Sequence, residues 1–155
     1  MSTVLVLDSS LTGEASVTKS LIQDVLSELR AGDPGLRVIL RDLAAEPLPH
    51  LTLAVFAEPD GAARRLSDAL IAELQAADTV VIGVPMYNFG IPSTLKAWFD
   101  YVLRAGVTFR YTEAGPEGLV KGKRAIAVSA RGGLYGEEAR RALDAQEPHR
   151  RTMLR

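Results

Sequence analysis

Short apolar runs alternate along the chain with longer amphipathic stretches. Three of the runs are apolar at successive positions, as in strands that are covered on both faces; they span residues 3–7, 79–84 and 123–129. Residues 36–42 instead alternate apolar with polar side chains, which predicts a strand at the edge of a sheet. Apolar residues recur at helical spacing between the runs, over residues 17–30, 62–77 and 93–103.

The alternation of strands and helices predicts a parallel α/β sheet with right-handed crossovers. An edge-like second strand beside apolar first, third and fourth strands fits the order 2-1-3-4 of an open flavodoxin-like sheet with helices on both faces. Residues 43–60 contain three prolines and predict an irregular connection. A length of 155 residues fits a single domain spanning residues 1–155.

The loop after the first strand, residues 8–18, is rich in hydroxyl groups and leads into a helix. The first N–H groups of a helix have no intrahelical acceptor and carry partial positive charge, and Ser10, Ser16 and Thr18 can donate further hydrogen bonds. This pattern suits a single phosphate. Neither G-x-G-x-x-G nor G-x-x-x-x-G-K-[ST] is present, so a dinucleotide or nucleoside triphosphate is not indicated. Ordinary helix capping by Ser16 or Thr18 is the alternative.

The loop after the third strand carries large apolar side chains. Pro85 ends the strand because proline cannot donate to a ladder, and Met86, Tyr87 and Phe89 follow around the amide of Asn88. Ligands of open α/β sheets lie outside the carboxyl ends of the strands. The loop therefore predicts a site for a flat, partly polar ring system, unless these side chains fold back into the core.

Two later segments add candidate ligand contacts. The fourth strand opens into residues 130–136, where Gly132 and Gly133 would let a ligand approach the backbone closely; a plain turn is the alternative. Residues 105–120 form a longer excursion than a minimal connection needs. Phe109 and Tyr111 lie on the same side of it if the segment is extended.

Composition excludes several classes of function. A net charge of −1 gives no support for binding to nucleic acid or to an anionic membrane surface. The absence of cysteine excludes disulfides and thiolate metal sites, and no other metal site is predicted. The first residues lack a signal-peptide pattern, and no apolar run approaches the roughly 20 residues of a membrane-spanning helix. A cytoplasmic protein is therefore expected.

These stretches resemble the FMN-dependent NADH-azoreductases, also called FMN-dependent NADH:quinone oxidoreductases. The similarity extends from Thr3 to about Tyr135, and its motifs are residues 85–89, 93–103, 104–112, 115–119 and 131–133. The resemblance implies a flavodoxin-like fold, a homodimer and non-covalently bound FMN. It also implies ping-pong transfer of two electrons from NADH to quinones or azo compounds.

The resemblance also implies roles for individual residues, with FMN rather than a side chain carrying the chemistry. The phosphate contacts would be Ser10, Ser16, Val17 and Thr18. The ring contacts would be Met86, Tyr87, Asn88, Phe89, Ala130, Arg131, Gly132 and Gly133. Arg131 would help to offset charge on the reduced ring. Phe109 and Tyr111 would wall the pocket of a small aromatic acceptor, which a partner subunit can help to form.

Two further expectations concern the ends of the molecule and its assembly. Family members continue past this point with a fifth strand and a last helix, so a sheet without the usual fifth strand is expected. On the helix at residues 93–103, an apolar stripe wider than packing on one sheet face requires would contribute to a dimer; it consists of Leu95, Trp98, Phe99, Tyr101, Val102 and Leu103.

Three alternatives to this enzyme stay open. One is an FMN-binding electron carrier, although such carriers are usually acidic and this chain is nearly neutral. Another is a truncated family member with weakened flavin binding. A phosphoryl-accepting receiver domain would need clustered carboxylates at the ends of the first and third strands, whereas Asp8 is expected to have no acidic neighbour and the third strand ends in Val84, Pro85 and Met86. His50 and His149 are interpreted as ordinary surface residues.

Overall fold

The computed structural model describes residues 1–135 and 138–154, and only the backbone of residues 138 and 139. The strands are β1 (Thr3–Asp8), β2 (Arg37–Asp42), β3 (Thr79–Pro85), β4 (Phe109–Thr112), β5 (Gly115–Gly118) and β6 (Arg124–Ala130). The helices are α1 (Val17–Gly32), α2 (Ala54–Ala57), α3 (Ala62–Ala76), α4 (Ser93–Val102), α5 (Glu138–Arg141) and α6 (Gln146–Met153). Gly136, which the sequence placed in the loop after β6, lies outside the described residues.

A four-stranded parallel sheet forms the centre of the fold. Its order is β2-β1-β3-β6, which confirms the predicted order 2-1-3-4 and the placement of β2 at an edge. Because all four strands run in the same direction, their carboxyl ends lie at one edge of the sheet, and the loops that follow β1, β3 and β6 start there.

Both faces of the sheet are apolar because successive side chains of a strand point to opposite faces. Val4 and Val6 of β1 pack under α1, while Leu5 and Leu7 face the core beneath α3 and α4. This two-sided burial explains why β1 and β3 show no polar alternation. On the edge strand β2, Ile39 also packs against the α3 side, whereas Leu40 is exposed.

Gly83 of β3 lets α1 lie close to the sheet. A Cβ at this position would come within 2.8 Å of the Cδ1 atom of Ile22 and 3.8 Å of the Cβ atom of Thr18. A larger residue would require the end of the Ile22 side chain, or the helix that carries it, to shift. The close approach fixes the first turn of α1 beside the end of the sheet.

The helix expected at residues 93–103 ends one residue earlier, at Val102, and Arg104 does not continue its polar face. Lys96 and Asp100 form an ion pair on α4 as their spacing predicts. Arg104 is instead buried, where it donates to the hydroxyl of Ser67 at 2.9 Å and to Asp68 at 2.6 Å. The helix stops because the Thr108 hydroxyl bonds the carbonyl of Val102 and the N–H of Arg104.

The apolar stripe of α4 is wrongly interpreted as a surface for a dimer. Leu95, Trp98, Phe99, Tyr101 and Val102 are all buried within one chain, in the core between the helix, β3 and α3. Leu103 packs against the same core. These side chains are therefore unavailable to a second subunit, and the homodimer stays a prediction that needs another surface.

The connection at residues 43–60 contains the short helix α2, and the excursion at residues 105–120 is a β-hairpin of β4 and β5. Residues 142–154, which show little apolar periodicity, include the helix α6, whose Met153 reaches the core. Across the described ranges, no helix is both long and apolar enough to span a membrane.

Candidate functional site

The loop after β1 brings hydroxyl groups to the first turn of α1. Ser16 is the N-cap of this helix, and its hydroxyl accepts from the N–H of Lys19 at 3.1 Å. The hydroxyls of Ser16 and Thr18 lie 2.9 Å apart and both residues are buried, whereas Val17 is exposed. Capping by Ser16 satisfies the N–H of Lys19, and the N–H groups of Val17 and Thr18 belong to the same first turn, where a phosphate could accept from them.

Tyr87 joins the loop after β3 to the loop after β1. Its hydroxyl accepts a hydrogen bond from the N–H of Leu11 at 2.9 Å and lies 3.4 Å from the hydroxyl of Ser10. Ser10 also contacts the hydroxyl of Thr12 at 3.1 Å. The predicted phosphate loop and the predicted ring loop are therefore in direct contact.

Asn88 and Phe89 form a tight turn with strained backbone. Their φ angles are 48° and 67°, in the left-handed region, and Tyr87 and Gly90 exchange hydrogen bonds of 3.1 and 3.0 Å across them. Two successive positive φ values define a type I′ turn. A phenylalanine at such a position costs about 1–3 kcal/mol, and strain of this kind is concentrated at functional sites. The Phe89 side chain is 48% exposed at the edge of the sheet.

The loops after β3 and β6 are also in contact. The N–H of Met86 donates to the carbonyl of Ala130 at 2.8 Å, and the rings of Phe89 and Tyr135 pack edge to face with centroids 6.3 Å apart. All three loops that were predicted from sequence therefore converge at the carboxyl edge of the sheet.

The glycine pair faces free space. Among the described residues, a Cβ on Gly132 would meet no atom within 4 Å, and a Cβ on Gly133 would make ordinary contacts with Tyr135 and Arg140. Neither position has a positive φ. The fold itself therefore does not require glycine at either position, whereas a ligand lying against this backbone would.

Arg131 is placed differently from the sequence interpretation. Its Nε donates to the Oε1 atom of Gln146 at 2.9 Å, and its two Nη atoms lie 3.0 Å from Asp144 and 3.3 Å from Glu147. The guanidinium is therefore committed to the start of α6, and the backbone of Arg131 is the part left for a ligand. Sequence reasoning missed Asp144, Gln146 and Glu147, although Asp and Glu three positions apart is the spacing of a helix start.

Phe109 and Tyr111 pack edge to face with centroids 5.3 Å apart, on one side of the hairpin as expected. Phe109 lines an apolar cavity of about 520 Å³ beside Val80 and Trp98. Among the described residues that line this cavity, none belongs to the three loops. Tyr111 is 76% exposed, so a single chain does not bring this pair to the candidate site.

Two statements about titratable groups need correction. The strand register places Asp42 opposite Asp8, so Asp8 does have an acidic neighbour in space. Each carboxylate nevertheless caps its own turn, and β3 contributes no carboxylate, so a receiver site is still not formed. His149 is not a plain surface residue, because burial lowers the pKa of its imidazole and Lys96 lowers it further.

The converging groups fit FMN. Hydroxyls and free N–H groups at a helix start suit a phosphate monoester. Apolar and amide side chains with open glycine backbone suit a flat ring with polar edges. Across the described residues, no group of three or more His, Cys, Asp or Glu side chains could hold a metal ion.

Comparison with known proteins agrees with the fold. A family model described as "Flavodoxin-like fold" matches residues 2–155. The FMN-dependent NADH:quinone oxidoreductase of Hyphomonas neptunium is 51% identical over 162 aligned positions, which cover 99% of this chain and 78% of that protein. The protein of the same name from Azotobacter vinelandii is 48% identical, with 99% and 81% covered.

Solved structures give the same picture. The crystal structure of an azoreductase from Bacillus anthracis superposes with a TM-score of 0.86 at 28% identity, covering 99% of this chain and 80% of that one. The resemblance inferred from the motifs is thereby confirmed. The chain belongs to the family of flavodoxin-like proteins that contains the FMN-dependent NADH:quinone oxidoreductases.

Proposed function

We propose that this chain is an FMN-dependent oxidoreductase that passes two electrons from NADH to quinones, azo compounds or both by a ping-pong mechanism. The observation that carries the proposal is that the loops after β1, β3 and β6 are in direct contact at one edge of the sheet. Tyr87 joins the first two loops, and Met86 joins the second to Ala130 of the third. The names of the relatives support the same reaction.

The phosphate of FMN would be held by Ser10, Ser16, Thr18 and the backbone of Val17. Ser10, Ser16 and Thr18 are buried. Ser16 and Thr18 belong to the start of α1, whereas Ser10 lies in the preceding loop and contacts Thr12 and Tyr87. Within the loop and the first turn of α1, the nearest cation, Lys19, pairs with Glu14 at 2.9 Å. Binding would therefore depend on hydroxyls, N–H groups and the helix dipole rather than on a salt bridge.

The ring would lie between the turn at Asn88 and Phe89 and the backbone of residues 130–133. When bound, FMN supplies the redox chemistry, since it accepts a hydride equivalent from NADH and passes two electrons to the acceptor. The protein orients the ring. Backbone N–H groups near Phe89 and Gly132 would donate to the polar edges of the ring.

The acceptor pocket and the subunit arrangement belong to the same proposal. The rings of Phe109 and Tyr111 pack edge to face on a hairpin, and Tyr111 is largely exposed. In a homodimer, this hairpin would wall the acceptor pocket of the other subunit. The cytoplasmic location inferred from the sequence stays a prediction.

The test is FMN-dependent consumption of NADH by the purified chain. We expect NADH oxidation to require both FMN and a soluble benzoquinone or azo dye, with parallel double-reciprocal lines as the acceptor concentration changes. FMN binding without acceptor-dependent NADH oxidation would favour the electron carrier. A rate equal to that of FMN without protein would contradict the proposed activity.

A further inference from the structure

Gln146 is a buried polar residue whose side-chain amide donates one hydrogen bond and accepts another. It is fully buried at the start of α6. Its Nε2 donates to the carbonyl of Val84 at 2.7 Å, and its Oε1 accepts from the Nε of Arg131 at 2.9 Å. A carbonyl can only accept and a guanidinium can only donate, so these partners fix the orientation of the amide. The bridge therefore requires glutamine.

The two partners lie where the two loops of the proposed ring site leave the sheet. Val84 is the residue before Pro85, at the end of β3 and two positions before Met86. Arg131 follows Ala130, the last residue of β6. Gln146 therefore spans the interval between the ends of two parallel strands, at the point where both loops begin.

Neighbours of Gln146 tie the same segment to the strained turn. The N–H of Ala145 donates to the carbonyl of Phe89 at 3.0 Å. Asp144 accepts from the N–H groups of Gln146 and Glu147 at 2.9 and 3.1 Å through one oxygen, while the other lies 3.0 Å from Arg131. The first turn of α6 is thus held by both loops, and it can in turn fix their separation.

We infer that Gln146 is a positioning residue for the flavin ring, acting by setting the spacing and angle between the Met86–Phe89 turn and the Arg131–Gly133 backbone. This inference rests on the proposed function, because it assigns the ring to those two loops. The loops already share one direct hydrogen bond, from Met86 to Ala130. That bond continues the pairing of β3 with β6, which ends at Pro85 and Ala130, and beyond it the side chain of Gln146 supplies a separate constraint by joining the guanidinium of Arg131 to the carbonyl of Val84.

Two substitutions distinguish the effects of the two hydrogen bonds of Gln146. Gln146→Leu keeps most of the volume and removes both hydrogen bonds, whereas Gln146→Glu keeps an acceptor for Arg131 and loses the donor to Val84. Ser67→Ala is the matched control, because Ser67 is also fully buried and bonds a backbone carbonyl, that of Tyr101, away from the three loops. Each protein is titrated with FMN, and the visible circular dichroism and reduction potential of bound FMN are recorded beside the urea midpoint of the apoprotein.

We expect Gln146→Leu, which leaves the Val84 carbonyl and the Arg131 guanidinium without this partner, to weaken FMN binding about tenfold and to change the circular dichroism and potential of the flavin. Gln146→Glu should change both flavin signals with a smaller loss of affinity. Ser67→Ala should lower the urea midpoint but leave the dissociation constant within about twofold of the parent.

Unchanged flavin signals and affinity in the Gln146 variants, with a lowered urea midpoint, would show a merely structural role and overturn the inference alone. If Gln146→Leu does not fold, Gln146→Glu decides in the same way. Failure of the parent protein to bind FMN would overturn the proposed site and this inference together.

Discussion

The hydroxyl of Tyr87 accepts a hydrogen bond from the N–H of Leu11 at 2.9 Å, across 76 positions of sequence. This bond joins the loop after β3 to the loop after β1 at the point where the proposed ring site meets the proposed phosphate site. Tyr87 therefore connects the turn at Phe89 to the loop that precedes α1. A substitution in one loop is expected to change the geometry of the other.

Tyr87→Phe should weaken FMN binding by about 0.5–1.5 kcal/mol with little effect on folding, because it removes one hydrogen bond from a partly exposed residue. Fluorescence titration of FMN measures the loss. Tyr111→Phe is the matched control, since the side chain of Tyr111 is largely exposed on the hairpin. Equal losses in the two variants would show that the Leu11 bond is not responsible.

Hydroxyl groups at the start of α1 give a second prediction. Thr18→Val keeps the shape of a buried side chain and the N-cap of Ser16, so it should weaken FMN by about 1 kcal/mol without unfolding the helix. Replacing both Ser16 and Thr18 by alanine should cost about 1–3 kcal/mol of FMN binding through lost charge-assisted bonds. It should also lower the free energy of unfolding by about 1 kcal/mol through the lost cap.

The control for this pair is Ser27→Ala on the same helix, where the exposed hydroxyl donates to the carbonyl of Gln23 in the preceding turn. Its FMN titration should match that of the parent. Parental affinity in Thr18→Val and in the double variant would place the phosphate elsewhere.

The positive φ of Phe89 predicts that glycine at this position gives a more stable protein than alanine. At a positive φ, glycine is favoured over alanine by about 1–2 kcal/mol, so Phe89→Gly should be more stable to urea than Phe89→Ala by about that amount. Both variants lose the ring that packs against Tyr135, so this loss cancels in the comparison. Equal urea midpoints would show that the turn relaxes and stores no strain.

Asp68 is expected to contribute to the loss of folding stability in acid. The hydrogen bond from Arg104 holds the pKa of Asp68 below its usual value. Its stabilising effect is therefore complete above the unfolded pKa of about 3.9 and is lost as the pH falls through the lower folded value. Because the Asp68 side chain is half exposed, the effect should be no more than about 1 kcal/mol.

Urea unfolding of the parent and of Asp68→Asn checks this at several pH values on both sides of the unfolded pKa. The difference in the free energy of unfolding should be largest near neutral pH and should shrink in acid. A difference that is the same at every pH would contradict the assignment to this carboxylate.

Sequence alone predicted the sheet order and the three loops because these depend on local signals. Uninterrupted apolar runs mark strands buried on both faces, as Val4 to Leu7 show, and hydroxyls, prolines and glycines mark the loops that follow. Convergence of the loops then follows from parallel strand direction.

Long-range packing decided the features that the sequence did not reveal. Arg104 has the helical spacing of a solvated residue, yet its guanidinium is drawn into a buried network with Ser67 and Asp68. The wide apolar stripe of α4 suggests a free surface because the sequence does not show that the core surrounds Trp98 and its neighbours. Gln146 lies in an arginine-rich segment without apolar periodicity, so no local pattern predicts that it is buried. Its burial accompanies a hydrogen bond to the carbonyl of Val84, which is distant in sequence.

The most direct measurement is FMN affinity after one substitution in each loop, made where the fold has room for it. Thr18→Val removes a hydroxyl, Asn88→Ala removes the amide at the turn, and Gly132→Val fills the open space beside the third loop. If the three loops form one flavin site, the parent binds FMN, each variant binds it more weakly, and all keep the free energy of unfolding within about 1 kcal/mol of the parent. Unaltered FMN affinity in all three stable variants would contradict a site made from these loops.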